Sequence, residues 1–459
     1  MQKRIPTRFE SFRSLLETQA ASLSEHPAII HAEAEAPCSY AKLLDFAQQS
    51  ASRWKAGGKS CLGLLCDGSF ACVCEIFGAV MAGLQVVLFD ENIPEEQLRV
   101  LICKTDVDVF WDHGLLEEDL SLELTDGVRD GAGRLLFFTS GTTDSAKAVV
   151  LTEASLCASA WNGASLLPLR PEDRLLCALP LNHVFGFVCG LLWGLSCGAT
   201  VALGRGARSY ARDFLFFRPT AVSLVPLLVG YLLKQNALNP ELKLVLIGAG
   251  DCPPALPAAL KRQDIRVSFG YGLTETSSGV ALSLGEDPYA MQVCPDDRIT
   301  IAEDGEILIE NTSCMMQGYY KDSAGTEAVL KNGVLSTGDL GRFDERGLLH
   351  VTGRKKEILV FPDGTKLYLP EYEARLQAVL HDREFCVISV ASAPALVLRG
   401  KESEREAVQA ALEPLMRELP LPRRIKSVYF EPAPLPRTAT GKLQRWVLQK
   451  KVVTEHDKK

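Results

Sequence analysis

Between about residue 60 and residue 270, short unbroken apolar runs alternate with helix-like segments, and no other feature restricts the fold as tightly. The runs are Leu62–Leu65, Gln85–Phe89, Leu135–Thr139, Ala148–Leu151, Thr200–Leu203 and Leu244–Ile247. Runs of this length bounded by Gly, Pro or Asp read as strands covered on both faces. Their alternation with helices predicts an α/β fold with a largely parallel sheet. After Pro288 the texture changes. Arg298–Ala302, Asp304-Gly305 and Glu306–Ile309 read as one hairpin, and Arg342-Phe343, Asp344–Gly347 and Leu348–Thr352 as a second. They predict a small antiparallel region closing the large domain. Beyond Arg354, short strands mix with two helices, the second expected over Ser403–Leu419 with Ser403 and Glu406 at capping-box spacing. The charged cluster Gly353–Glu357 marks the joint, giving a large domain over 1–353 and a small α+β domain over 354–459.

Composition narrows the function classes. The 459 residues suffice for two or three packed domains. Hydrophobic residues at 47% and charged residues at 23% exclude a mainly disordered chain. Lys plus Arg at 49 against Asp plus Glu at 57 gives a net charge of -8, which argues against a nucleic-acid partner. The fourteen cysteines are scattered, with no C-x-x-C pair, and read as buried reduced thiols of a cytoplasmic protein. No apolar run follows the charged N-terminus, so no secretory signal is expected. Val184–Leu203 is twenty residues without a charge, long enough to span a bilayer. It lacks an aromatic belt at both ends and turns β-like at Ala199–Val201. We read it as a buried helix followed by a buried strand, with no stable membrane span.

Four segments carry chemistry. Leu135–Leu151 is a strand, a loop rich in hydroxyls and small residues, then a lysine entering another strand. Its backbone N–H groups and the hydroxyls of Thr139, Ser140, Thr142 and Thr143, around Gly141, suit phosphate oxygens, and Lys147 adds positive charge. The G-x-x-x-x-G-K-[ST] spacing is absent, and a solvated hairpin loop is the plainer alternative. Ser268–Thr276 follows a strand-like stretch, and its glycines, Gly272 among them, let backbone approach a ligand. Tyr271 offers a flat face for a nucleobase, Thr274 a phosphate donor or a helix cap, and Glu275 an oxygen ligand for magnesium. In Ser336–Gly341, Asp339 can take both hydroxyls of a ribose, with Arg354 behind it. In Pro434–Arg445, Lys442 sits on a glycine-bearing loop as a mobile cation.

Taken in this order and spacing, the four segments resemble the adenylate-forming (ANL) superfamily of acyl- and aryl-CoA synthetases, peptide-synthetase adenylation domains and beetle luciferases. The resemblance covers nearly the whole chain, with diagnostic segments between residues 135 and 445. It implies a large N-terminal domain of layered α/β subdomains with a small β-barrel-like region, and a mobile C-terminal lid turning about Lys356. It further implies a two-step reaction with ATP, Mg2+ and CoA. A carboxylate attacks the α-phosphate, releasing pyrophosphate, and a thiol then attacks the acyl-adenylate, releasing AMP. By the same resemblance, Thr139–Lys147 holds the β- and γ-phosphates, Tyr271 stacks on adenine, and Gly248-Ala249-Gly250 admits the base and acyl chain. Thr274 binds phosphate, Glu275 holds Mg2+, and Asp339 with Arg354 takes the ribose. Lys442 bridges the carboxylate and the α-phosphate, and rotation exchanges it for the Gly364 segment.

The acid is less sharply marked. Pro180–Gly186 resembles the segment gating the carboxylate pocket, which puts His183 beside the acid; a hydrogen-bonded core histidine is the alternative. Val184 and Phe185 stand where amino-acid-activating relatives carry an acidic residue, which disfavours an α-amino acid. Apolar surroundings favour a fatty acid first, with aryl or succinylbenzoate-like acids behind it. The phosphate loop departs from the family pattern, with Asp144, Ala146 and Ala148 in place of glycine, proline and glycine. A carboxylate about 4 Å from a phosphate costs about 1 kcal/mol or more even when screened. Two alternatives to a CoA ligase follow: transfer to the phosphopantetheine arm of an acyl carrier protein, and a nucleotide- or acyl-binding homologue weakened by Asp144.

Overall fold

The computed structural model describes residues 6–112, 115–117, 133–139, 147–250, 252–361, 366–390, 393–437 and 443–456. The chain forms two compact units. The first takes in Met1–Thr300, Leu308–Ser336 and Phe343–His350; the second takes in Ile301–Ile307, Thr337–Arg342 and Val351–Lys459.

The first unit carries two sheets. In one, the strands Pro27–Ile30, Thr200–Leu203, Arg174–Cys177, Ala221–Leu224, Leu244–Ile247 and Arg266–Leu273 lie side by side in that order, all parallel. Ser278–Ser283 and Met291–Val293 extend it antiparallel. In the other, Ala148–Thr152, Arg134–Phe138, Gln85–Asp90, Cys61–Cys66 and Val109–Asp112 are neighbours in that order. Only the Arg134–Phe138 and Ala148–Thr152 pair among these five is antiparallel. All six runs expected as strands are strands. They are buried on both faces, as their lack of alternation implies.

Helices pack these sheets together. Phe12, on the helix Phe12–Ser22, meets Phe77 at 5.0 Å and Phe187 at 6.0 Å, and Phe187 meets Phe137 of the second sheet at 5.7 Å. All four rings are buried, each stabilising the fold by about 1.5–3 kcal/mol. The helix Phe70–Met81 starts where Ser69 Oγ accepts the Cys72 N–H at 3.1 Å. The apolar run Val184–Leu203 divides into the helical turns Val184–Gly186, Phe187–Leu192 and Trp193–Ser196 and the strand Thr200–Leu203. Among the described residues, no helix is long and apolar enough to cross a membrane. All fourteen cysteines are free thiols, and only Cys103 is exposed.

The antiparallel strands after residue 273 lengthen the sheet edge, and among the described residues they close no barrel. The first expected hairpin is present, with Ala302 N–H donating to Glu306 O at 2.9 Å across a turn in which Gly305 has φ of 88°.

In the second unit, Phe385–Val390, Ala393–Arg399 and Ser427–Glu431 form a three-stranded sheet. Alternation along the strands feeds two cores. Val387, Leu396 and Leu398 share one with the helices Leu369–Leu380 and Arg405–Glu418. Cys386, Ile388 and Val397 share the other with Leu448 of the helix Arg445–His456. The helix expected over Ser403–Leu419 covers Arg405–Glu418. Its lead-in turn is capped by Lys401 N–H donating to Glu404 Oε1 at 3.0 Å, not by Ser403 and Glu406.

Candidate active site

The site begins where the strand Arg134–Phe138 ends. Thr139 N–H donates to Lys147 O at 3.0 Å, and Lys147 N–H donates to Thr139 Oγ1 at 3.2 Å, closing the base of the loop between them. Ser140, Gly141, Thr142, Thr143 and Asp144 lie outside the described residues. Lys147 Nζ sits 4.0 Å from the centre of the Tyr319 ring and 3.9 Å from Asp322 Oδ2. Tyr319 O–H in turn donates to Glu275 Oε1 at 2.8 Å. Burial, and then the neighbouring Glu275 carboxylate, push the Tyr319 phenol well above its ordinary value, so it stays a donor.

This lysine–tyrosine–carboxylate row links two of the four motif segments. Tyr319 was missed in the sequence. It belongs to the short strand Gly318–Tyr319, which pairs with Ala148–Thr152 and so stands beside Lys147. The only local signal is Gly318-Tyr319-Tyr320, which means nothing without the pairing.

Glu275 lies in the single turn Thr274–Thr276 after the strand Arg266–Leu273, and its carbonyl accepts Met316 N–H at 2.8 Å. The turn is held by its own hydroxyl, Thr276 Oγ1 accepting Leu273 N–H at 3.1 Å, so Thr276 does the capping work considered for Thr274. Tyr271 is half-buried on the strand before it. A bulge falls between Tyr271 and Gly272, where a Cβ on Gly272 would lie 1.7 Å from Ser278 O. Only glycine fits that approach. Gly248, Ala249 and Gly250 follow the neighbouring strand Leu244–Ile247. Gly248 N–H donates to Leu224 O at 3.2 Å, and its missing side chain makes room for the Phe185 ring, 2.9 Å from where a Cβ would be. Ala249 has φ of 60°, a left-handed conformation costing about 1–2 kcal/mol for a side chain.

His183 precedes the helical turns of the apolar run. Its Nε2 is buried with no hydrogen-bond partner among the described residues. Burial lowers its pKa below the ordinary 6.5 against the opposing pull of Asp90, which favours the neutral ring. Phe187–Leu192 is a π-helical turn, a form often found at functional sites. Beside it is a small cavity of about 20 Å3 lined by Ser159, Gly163, Val188, Cys189, Trp193 and Gly279, among others.

Two further predicted residues belong to the second unit. Asp339 is nearly buried, 3% exposed, and Arg354 Nε reaches its Oδ1 at 2.7 Å. Lys355 holds Glu306 and, at 2.6 Å, Asp304, fixing the chain just before Lys356 in the turn Lys355–Glu357. Lys442 and the Gly364 segment lie outside the described residues. The base of the Lys442 loop is defined: Gln444 N–H donates to Pro436 O at 2.8 Å, and Arg445 is clamped to Glu373, with NH2 at 2.6 Å.

Sequence and structure comparisons bear directly on this arrangement. A profile described as "AMP-binding enzyme" matches residues 132–320, a span that includes Lys147, Glu275 and Tyr319. A 2-succinylbenzoate–CoA ligase of Bacillus pumilus is 31% identical over 340 residues, 69% of this chain and 68% of the relative. The chain belongs to the AMP-binding enzyme family. A second 2-succinylbenzoate–CoA ligase, from Bacillus velezensis, is 28% identical over 79% of this chain and 77% of its own length. The solved O-succinylbenzoate coenzyme A synthetase of Bacillus subtilis with AMP matches this AMP-binding enzyme with a TM-score of 0.80. It covers 96% of this chain and 98% of its own at 22% identity, a likeness of fold. The protein is thus an adenylate-forming acid–thiol ligase, and ATP, Mg2+ and CoA are the cofactors of that chemistry. Glu275 fits the metal's needs, because Mg2+ is commonly held by one or two carboxylates together with substrate phosphates.

Proposed function

We propose that this chain activates a compact aryl carboxylic acid as its adenylate and transfers the acyl group to CoA. Of the two acid classes left open by the sequence, the aryl class is favoured over the fatty class by one observation. The apolar cavity beside the π-helical turn is small, about 20 Å3, its wall including Leu167 and the buried Trp193. A long acyl chain needs far more room beyond its carboxylate than this, whereas a ring seated in front of the cavity needs only space for a substituent. The named substrates of the two relatives are aryl acids, in keeping with this reading.

The residues have roles that follow from their chemistry. Thr139, Ser140, Gly141, Thr142, Thr143 and Lys147 hold the β- and γ-phosphates, with Lys147 braced on the Tyr319 ring. Glu275, oriented by Tyr319, would hold Mg2+, and Thr274 would bind phosphate. Tyr271 with Gly272 and Gly248-Ala249-Gly250 take the adenine, and Asp339 with Arg354 takes the ribose. His183, neutral, lies beside the acid without adding a competing cation. In the first step a carboxylate oxygen bonds to the α-phosphorus as its bond to the β-bridging oxygen breaks. Lys442 neutralises the charge gathering between them, a matter of positioning and electrostatics. In the second step the CoA sulfur bonds to the acyl carbon, AMP leaves with the bonding electron pair, and the thiol proton passes to solvent. We place the domain boundary at Arg354 and the hinge at Lys356, with rotation withdrawing Lys442 between the steps.

Pyrophosphate release from Mg·ATP across fatty, aryl and amino acids, with and without CoA, tests this. Multiple turnovers that need both an aryl acid and CoA are expected. Faster turnover with a long-chain fatty acid overturns the aryl assignment. No release with any acid overturns the ligase reading and points to Asp144.

A further inference from the structure

We propose that Ser159 is a specificity-determining residue, its hydroxyl pairing with a hydroxyl or carbonyl substituent borne by the ring of the acid. The inference rests on the cavity being the acid site, as proposed above.

Ser159 lies in the middle of the helix Glu153–Leu166 and is 3% exposed. A serine inside a helix ordinarily satisfies itself by bonding the carbonyl four residues back. Ser165 of the same helix does so, donating to Trp161 O at 2.8 Å. Ser159 does not: its Oγ is buried and has no partner among the described residues. The other polar groups of this helix that face inward are engaged. Asn162 donates to Asp297 Oδ2 at 3.1 Å, and Ser155 pairs with Thr152 in a capping box. An unpaired buried hydroxyl is unfavourable and calls for an explanation.

The surroundings supply one. Ser159 lines the apolar cavity. Gly163, one helical turn on and on the same face, also lines it, and a Cβ there would meet nothing within 4 Å. Gly279 opens the facing strand, with only Tyr271 O at 4.0 Å from its would-be Cβ. The remaining polar atoms of the wall are already taken. Cys189 Sγ lies 3.5 Å from Ser278 Oγ, and Trp193 Nε1 donates to Leu167 O at 3.0 Å. Ser159 Oγ is therefore the one uncommitted polar side-chain atom of the wall among the described residues. A buried water needs about two to four polar partners, and the side chains of this wall offer it one. At about 20 Å3 the cavity holds one small polar group, not a ring, and so marks the deep end of the slot where a substituent terminates. A substrate with a hydroxyl or carbonyl there fills the space and pairs the serine; a hydrocarbon leaves the hydroxyl unpaired.

The test uses the full chain, Mg·ATP and pyrophosphate release with matched aryl acids, one bearing a hydroxyl or carbonyl substituent and one bearing a methyl or hydrogen in its place. Wild type is expected to prefer the polar acid, and Ser159→Ala to lower the ratio of kcat/KM values between the two acids about tenfold, mainly through KM. An unaltered ratio overturns the inference. So does a fall in melting temperature for Ser159→Ala, which would reveal a structural bond for the hydroxyl; an equal or higher melting temperature is expected. Gly163→Leu, which fills the cavity, separates this failure from failure of the underlying reading. Loss of turnover with every ring acid is expected, and undiminished turnover shows that the acid binds elsewhere. Gly163→Ala, which fits the open space, provides the same comparison in milder form if the leucine variant does not fold.

Discussion

Tyr319 does two things with one side chain. Its ring supports the Lys147 ammonium and its hydroxyl fixes one oxygen of Glu275. Tyr319→Phe keeps the first and removes the second. A hydrogen bond to a charged group contributes about 1.5–3 kcal/mol, so kcat/KM for Mg·ATP should fall about tenfold or more while the melting temperature changes little. Steady-state pyrophosphate release at varied Mg·ATP checks this, and a change confined to the KM of the acid would rule it out. His183 gives a pH signature. Its folded-state pKa lies below the ordinary 6.5, so the unfolded chain binds the proton more readily. Stability is full above about 6.5 and falls as pH drops through that value toward the folded pKa. Melting curves followed as pH falls below about 6.5 should show a steeper acid loss for wild type than for His183→Gln.

At the scale of elements, the strand pair Arg266–Leu273 and Ser278–Ser283 carries Tyr271 into place through its bulge. Gly272→Ala would drive a Cβ into the Ser278 carbonyl, which cannot step aside as a flexible side chain could. We expect a loss of about 3 kcal/mol, the upper end for overpacking, and a raised KM for ATP as Tyr271 is displaced. Chemical denaturation together with ATP kinetics reads both. The helical turns Val184–Ser196 show why a twenty-residue uncharged segment need not meet a lipid bilayer. Glycine backbone contacts shape its packing: a Cβ on Gly186 would lie 2.2 Å from Pro180 O, and one on Gly194 2.6 Å from Val201 Cγ2. Gly186, Gly190 and Gly194 recur every fourth residue, and the last two pack closely against the strands Arg174–Cys177 and Thr200–Leu203.

For the whole molecule, two units with separate cores imply two sources of stability. The second unit depends on Arg445, a half-buried guanidinium that contacts both carboxylate oxygens of Glu373 and donates to Val387 O at 3.0 Å. It anchors the helix Arg445–His456 directly after the Lys442 loop. Arg445→Ala leaves Glu373 partly buried and unpaired, which costs about 3 kcal/mol. Scanning calorimetry should show the transition of this unit moving down while that of the first unit stays, and adenylation should fall because the base of the Lys442 loop is no longer held. A single unchanged transition would contradict that division of stability.

The sequence marked the sheet-forming runs, since short β-rich apolar stretches bounded by Gly, Pro or Asp favour strands covered on both faces. It also determined the family, since four motifs in one order point to one chemistry. Thr139 with Lys147, and Asp339 with Arg354, were legible as candidates because charge and glycine mark them locally, and the structure brings each pair into contact. Tyr319 was not legible, because its place beside Lys147 depends on a strand pairing between residues far apart in the chain. Nor was Ser159, an ordinary helical serine until packing strips it of water and partner together. The antiparallel strands after residue 273 likewise gave no sign that they would extend a parallel sheet and leave it open. Hydrophobic pattern and motif chemistry are written residue by residue, whereas pairing, burial and the isolation of a polar atom exist only once distant segments have been packed together.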